Sequence, residues 1–473
     1  MSKSSEPQEF VRVLARADVL ALAFGAMIGW GWIVLTGSAI LDGGSVGAIL
    51  AFVVGGIAVL LVGLTYAELA AAMPRVGGEH VYSYRALGHA ASFLCTWSIV
   101  LGYVSVASFE AVALPTVFEY LFPGYAVGHL WTVAGWDVQA SWVAVGVIGS
   151  IVMMIVNYFG ISTAALLQKV VTGLILLVGV MFVTGSLFTG DAANMQPLFS
   201  SGESGAIGGI VAVLVLVPFL FVGFDVIPQA AEEINLSYRD IGKVLVLSVL
   251  MAVAWYVLIV LGTSLILDGE ALGASTLSVP AAMEAVFGGA WAGNLMVLAG
   301  IAGIITSWNA FYIGGSRAIY ALAHSGMLPA FLGKLHPKYK TPTNAIILIG
   351  VLSTLAPFFG RPALVWLVDA GGLGIVIAYL VVAVSFLILR RREPDMPRPY
   401  RVSCGIAVGV LAVLMSLGML FAYLPGSPSA LVPVEWLIFG MWMVGGLVLY
   451  AWARRRYGRE MGDRLIRASY ERD

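Results

Sequence analysis

The chain is predicted to be an all-α integral membrane protein of twelve transmembrane helices, the first and sixth of them interrupted at mid-span. Three observations carry this prediction. Hydrophobic residues make up 60% of the sequence and charged residues 11%, with a mean hydropathy of +0.96; a soluble domain carries about 25% charge. So few charges cannot cover a surface facing water, and they suit one facing lipid. Apolar windows of the roughly 20 residues needed to cross a bilayer then recur along the whole chain. Finally, two of those windows are broken by glycine: Gly25-Ala26-Met27-Ile28-Gly29-Trp30-Gly31-Trp32, and Pro218-Phe219-Leu220-Phe221-Val222-Gly223-Phe224-Asp225-Val226-Ile227-Pro228.

The windows fall near residues 18–41, 46–73, 90–121, 139–158, 163–188, 207–230, 241–267, 291–323, 343–360, 363–389, 403–424 and 432–453. Orientation follows from Lys and Arg, which stay cytoplasmic in short loops. With the N-terminus inside, twelve spans place Arg75, Arg85, Arg239, Lys243, Lys334, Lys338, Lys340, Arg390-Arg391-Arg392 and Arg454-Arg455-Arg456 on one side, and leave only Arg361 on the other. The outer loops carry Asp42, Asp137, Asp191, Asp268 and Glu270 instead. Both termini are therefore expected in the cytoplasm and the chain in the cytoplasmic membrane. The polar start argues against a cleavable signal peptide.

Several function classes are excluded at this level. A net charge of −1 implies no nucleic-acid partner. Cys95 and Cys404 both fall in apolar windows and are expected to be buried thiols, without a disulfide or metal framework. The histidines (His80, His89, His129, His324 and His336) lack ligand spacing. Trp131, Trp136 and Trp142 read as an interfacial aromatic belt. An enzyme needs a nucleophile–base set or metal ligands, and no such cluster occurs within the spans. A sensor would usually carry a soluble output domain, and the segments between spans are short.

The interruptions point to a carrier. In lipid an apolar helix must satisfy its own backbone, so clustered Gly and Pro are tolerated only where protein or water lines the break. Corresponding breaks in two halves of a chain mark a transporter's binding site. The first broken span would run outward and the sixth inward, as inverted repeats require.

The residues then resemble the amino acid–polyamine–organocation permeases, whose fold is shared with the LeuT-type transporters. The first break resembles the family's Gly-Ser-Gly-Ile stretch. Glu68-Leu69 with Pro74, Gly77-Gly78-Glu79, Tyr82, Tyr84 and Gly88 is similar to its signature between spans two and three. Asn157 and Gly160 match the start of span five, and Gly223-Phe224-Asp225 with Ala231-Glu232-Glu233 matches span six. Arg317, Gly326 and Pro329 resemble the exit of span eight, and Leu389–Pro394 with Arg398-Pro399-Tyr400 the basic loop after span ten. The resemblance implies a 5+5 inverted repeat over residues 18–190 and 207–389, two peripheral spans over 403–453, and terminal segments 1–17 and 454–473. It also implies a monomer or weak homo-oligomer.

Three departures from the family pattern matter. Trp30 replaces a serine between the glycines, Asp225 replaces a glutamate, and the position aligned with a cation-replacing lysine of some proton-coupled relatives is Ile175. Lys169 lies well before it.

The resemblance and the breaks together nominate a site. Exposed amides at a half-helix terminus attract anionic groups, so a substrate is expected at the midplane against Gly29, Gly31, Val222 and Gly223, with Met27 and Trp30 beside it. The alternative role for these glycines is close helix packing. Glu110 lies inside span three, where a carboxylate faces a cavity or a partner; the alignment places it at the distal end of the substrate, facing a positive group. Phe219, Phe221, Trp308, Phe311 and Trp30 are candidates for cation–π walls, two or three of them facing the site. Asp225 is expected to cap the second break or to act in gating. Asp369 is expected in the outer part of span ten, and Glu68 and Glu79 in loop geometry. Thr306 and Ser307 resemble a hydroxyl pair that completes a sodium site in relatives, although such hydroxyls also bond back to their own helix. The coupling-ion candidates are therefore Thr306, Ser307 and Asp225, with Na+ or H+ as the ion, no other cofactor, and exchange as a third possibility. The expected function is secondary transport of an amino acid or related, cationic amine.

Overall fold

The computed structural model describes residues 10–202, 205–427 and 429–458. In chain order its helices are α1 (Arg16–Met27), α2 (Gly31–Val34), α3 (Thr36–Gly43), α4 (Ser45–Ala72), α5 (Glu79–Leu87) and α6 (His89–Leu121). A hairpin of β1 (His129–Val133) and β2 (Trp136–Gln139) follows, then α7 (Ala140–Tyr158) and α8 (Ile161–Thr189). The second half comprises α9 (Gly205–Phe221), α10 (Val226–Gln229), α11 (Tyr238–Ile266), α12 (Gly269–Ala274), α13 (Ser278–Phe287), α14 (Ala290–His324), α15 (Thr343–Leu355), α16 (Ala363–Arg392), α17 (Gly405–Tyr423) and α18 (Pro433–Tyr457).

Among the described residues, eleven segments are long and apolar enough to cross a membrane, counting α1–α2 (Arg16–Val34) and α9–α10 (Gly205–Gln229) as one each. The expected twelfth is the shorter apolar stretch Thr343–Phe359, closed by a 3-10 turn at Ala356–Phe359. At 1.5 Å per residue it reaches about 25 Å, slightly less than the hydrocarbon thickness.

Burial sorts the spans into core and periphery. In Arg16–Val34, His89–Leu121 and Ala290–His324, 83% of the apolar window is buried within the protein, against 11% in Pro433–Tyr457. The chain's core is thus built by the first, third and eighth spans, and its last helix presents most of its surface outward. α6 packs on α16 and α14, and α1 packs on α14, α8 and α11.

The structure corrects several expectations. Cys95 is buried, but Cys404 is exposed, because it is the N-cap of α17 and stands outside the helix body with a left-handed φ of 51°. Trp142 is fully buried with its ring 4.8 Å from that of Trp136, so it belongs to the core rather than to an aromatic belt. Trp131 is 42% exposed and donates its indole N–H to the Phe358 carbonyl. The hairpin carrying Trp131 and Trp136 and the short helices α12 and α13 had no periodic signal long enough to be recognised. α18 runs on to Tyr457, past the expected boundary at residue 453; the rest of the tail from 459, and residues 1–9, lie outside the described residues.

Candidate functional site

The first break opens because three residues leave the helix. α1 ends at Met27, Ile28 takes a non-helical ψ of 64°, and helix resumes only at Gly31. Carbonyls freed there must find donors or cross the membrane unsatisfied. The Met27 carbonyl accepts from the Tyr256 hydroxyl of α11 at 2.9 Å. Gly303 of α14 lies against the carbonyls of Ile28 and Gly29, where a side chain would not fit.

Glu110 of α6 reaches this break. It is 1% exposed, and its Oε1 accepts a long bond of 3.4 Å from the Trp30 amide. The same oxygen lies where a Cβ on Gly29 would stand, so only glycine admits the carboxylate at that distance. The Ser307 hydroxyl crowds the same side of Gly29, and among the described residues Oε2 has no hydrogen-bond partner. The sequence placed Glu110 at the far end of a substrate; the structure sets it beside the broken backbone itself. No basic side chain forms an ion pair with it among the described residues. A buried carboxylate with one open acceptor is costly, and it is suited to accept from a positively charged group.

The second break faces the first. α9 ends at Phe221, α10 begins at Val226, and between them Gly223 adopts a φ of 138° that L side chains rarely reach. A Cβ there would lie 2.6 Å from the Ala26 Cβ and 3.0 Å from the Met27 amide. The two interruptions therefore touch backbone to backbone. Asp225 folds back into the second: its Oδ1 accepts from the Gly223 amide and its Oδ2 from the Tyr103 hydroxyl, both at 2.7 Å. The expected helix cap is not formed, since the Asp225 side chain accepts from no amide of α10; its bond to Tyr103 ties α6 to the sixth span instead.

The remaining candidates divide. Gly31 abuts the Leu220 side chain, and Val222 is fully buried in the second break. The Trp30 ring packs on Gly300 of α14. Phe219 meets Phe109 at 5.4 Å and Phe311 meets Tyr103 at 5.5 Å, both beside residues of α6. Phe221 turns instead toward Phe52 and Tyr256, and Trp308 packs against Gly149 of α7. The two hydroxyls of α14 diverge. Thr306 donates to the Gly303 carbonyl of its own helix at 3.0 Å, while Ser307 stands beside Gly29 and Glu110.

A residue missed by the sequence reading stands nearby. Gln168 of α8 donates through Nε2 to the carbonyls of Ala21 (3.3 Å) and Thr306 (3.1 Å), and accepts from Asn309 at 3.0 Å. The fifth-span side chain that bridges the first and eighth spans is thus a neutral amide, seven residues before Ile175, which is also buried. Two amide side chains inside apolar windows were the available signal. Lys169, its neighbour, pairs with Asp18 at the start of α1 at 2.8 Å.

Toward the end carrying most basic residues, buried ionic contacts join the halves. Arg317 forms a bidentate pair with Glu233, both nearly inaccessible. Glu68 accepts from Arg390, from Arg398 at 3.0 Å and from the Val402 amide at 2.8 Å. Glu79 of α5 accepts from Gln229 at 2.7 Å. Burial, and after it the charge of Asp225, pushes the Glu79 carboxyl well above the usual carboxylate range. Glu68 holds the segment after α16 through Arg398 and the Val402 amide, whereas Glu79 joins α5 to α10 rather than a loop.

Comparison with known proteins adds the family. The model of the amino acid permease family matches residues 14–448. A branched-chain amino acid permease of Bacillus subtilis is 27% identical over 97% of this chain and 96% of its own. The methylthioribose transporter of the same organism is 26% identical, covering 96% of each chain. The vacuolar cationic amino acid transporter 4 of Arabidopsis thaliana is 27% identical over 83% of this chain and 66% of its own.

Proposed function

The chain belongs to the amino acid permease family, and from that premise we propose that it is a secondary active transporter, not an enzyme, moving an amino acid or related amine by alternating access. It acts in the cytoplasmic membrane with both termini inside, in keeping with the segregation of basic residues. The observation that carries the reading is the contact between the two breaks at Gly223 and Ala26–Met27. Substrate sits there, between Gly29–Gly31 and Val222–Gly223, at the point where the first and sixth spans must part for access to alternate. Glu110 takes the substrate's positive group on its open Oε2. A positive group is common to amino acids and amines, and a branched-chain amino acid permease and a cationic amino acid transporter are both relatives.

Coupling follows from what fills the junction of α1, α8 and α14. A sodium ion needs several oxygens converging at fixed spacing. Thr306 bonds back to its own helix while Ser307 stands beside Gly29 and Glu110, and the Gln168 amide already occupies two of the nearby carbonyls. This favours proton coupling or exchange over sodium. Exchange is retained as the second reading because that amide carries no titratable proton.

The test has two stages. A thermal-shift screen of the purified protein against amino acids and amines identifies a ligand, since binding to the folded state alone raises apparent stability. Uptake of that ligand into proteoliposomes is then measured with sodium and pH gradients imposed separately, and with preloaded substrate. A protein stabilised by no amino acid or amine, and moving none, would remove the proposal.

A further inference from the structure

Where α16 gives way to α17, the surface holds an open cavity of about 530 Å³ lined by Arg390, Arg401, Ser403, Cys404 and the first residues of α17. Its charge is positive. Arg390 and Arg398 share the single carboxylate of Glu68, while Arg401 is exposed and forms no ion pair among the described residues. Arg391 and Arg392 are exposed close by in sequence. The cavity also meets backbone donors that the helix leaves open. Val408 is the first α17 amide to find a helical acceptor, at Cys404, so the amides of Gly405, Ile406 and Ala407 have none within the helix.

A second, independent feature starts at the same place. Ile406 lines the cavity and is 52% exposed. From it an exposed apolar ridge of Val410, Leu414, Leu417 and Phe421 runs along α17, at the spacing that keeps side chains on one helical face. A basic recess at the interfacial end of a span thus leads directly onto an apolar track along that span. A free anion would use only the recess, and an uncharged lipid only the track.

We propose that this recess binds the phosphate headgroup of an anionic phospholipid, with an acyl chain lying along the α17 ridge. Arg401 supplies the unpaired charge, and the opening amides of α17 supply directed donors. Arg390, bonded to both Glu68 and the Val402 carbonyl, links the recess to α4. A bound headgroup would join the peripheral pair α17–α18 to the core at the end of α16. Membranes rich in acidic lipid recruit such juxtamembrane arginines, and here the fold provides one defined place for a single lipid.

The cavity carries its own reporter. Cys404 lines it and is exposed, and Cys95, the one other cysteine, is buried. The full chain is reconstituted in nanodiscs of phosphatidylcholine, with or without phosphatidylglycerol, and labelled with an uncharged maleimide; Cys404→Ser sets the background. Phosphatidylglycerol is expected to slow labelling about fivefold, the effect of one basic contact with an acidic lipid. Arg401→Gln should restore the rate seen in phosphatidylcholine. Equal rates in the two lipids would overturn the proposal. So would protection that persists in Arg401→Gln, since that marks a general surface effect. Equal protection by inorganic phosphate in phosphatidylcholine alone would overturn it too, because the site would then take a free anion.

Discussion

Glu110 and Gly223 are the residues on which the site turns. Glu110→Gln keeps the shape and an acceptor for the Trp30 amide while removing the charge. Affinity for a substrate bearing a positive group should therefore fall by about 1–3 kcal/mol, the scale of a charge-assisted hydrogen bond. Isothermal titration on the purified variant measures this, and an unchanged Kd in a folded protein would return Glu110 to a packing role. Gly223→Ala meets two penalties at once, a left-handed φ and a Cβ driven into Ala26. Strain of that kind costs on the order of 1–3 kcal/mol. The variant should melt lower than the parent and lose uptake even where it still folds, because the breaks could no longer close on each other.

At the scale of elements, α5 and α8 make opposite contributions. Glu79 of α5 lies outside the spans, and its folded pKa is raised by burial and then by Asp225. The sign follows from that direction: its stabilising contribution is complete below the ordinary carboxylate range and is lost as pH rises through the elevated folded value. Melting temperature in detergent should fall as pH rises above that range, and Glu79→Gln should flatten the slope. A slope unchanged in Glu79→Gln would assign the effect to another group. On α8, Gln168 bridges α1 and α14 with a neutral amide. Uptake should accordingly proceed without a sodium gradient and survive Ser307→Ala. Uptake that requires sodium and is abolished by Ser307→Ala would instead establish sodium coupling through α14. A pH gradient alone driving accumulation would select proton coupling, with Glu110 or Asp225 as the titrating group, and uptake only into preloaded vesicles would select exchange.

The whole molecule is locked at its basic end by charge pairs buried between distant segments, Arg317 with Glu233 and Arg390 with Glu68. Such a pair adds little net stability, but removing one partner strands the other charge at a cost of about 3–5 kcal/mol. Glu233→Gln should thus lower the melting temperature strongly, whereas Arg85→Gln, which breaks a partly exposed pair with Glu393, should cost about 1 kcal/mol or less. The Arg317–Glu233 pair also lies beside the strap formed by the N-terminal segment, where the Val13 and Leu14 amides donate to the Glu233 carbonyl. Loss of the pair should therefore loosen residues 10–15, and limited proteolysis compared with the parent reads this out.

Much of this architecture was legible in the sequence because the bilayer imposes local rules. Span length, glycine-marked breaks and the sorting of Lys and Arg depend on residues close together in the chain, so a linear reading finds Gly29, Gly31, Gly223 and Asp225 at the breaks. The same reading misplaced Cys404 and Trp142, since whether a residue at a helix end is covered depends on the helices packed against it. It also did not bring Glu110 to the first break, and it overlooked Gln168. A side chain in an apolar window announces that it needs a partner, but not which of several neighbouring spans supplies one. That is decided by helix rotation and by the meeting of residues as far apart as Trp30 and Glu110, or Gln168 and Thr306. The sequence alone therefore determined that this chain spans a membrane and opens its backbone at two points. Tertiary packing alone decided which carboxylate enters the first opening and which amide closes the junction beside it, because buried polar groups are satisfied across helices rather than along them.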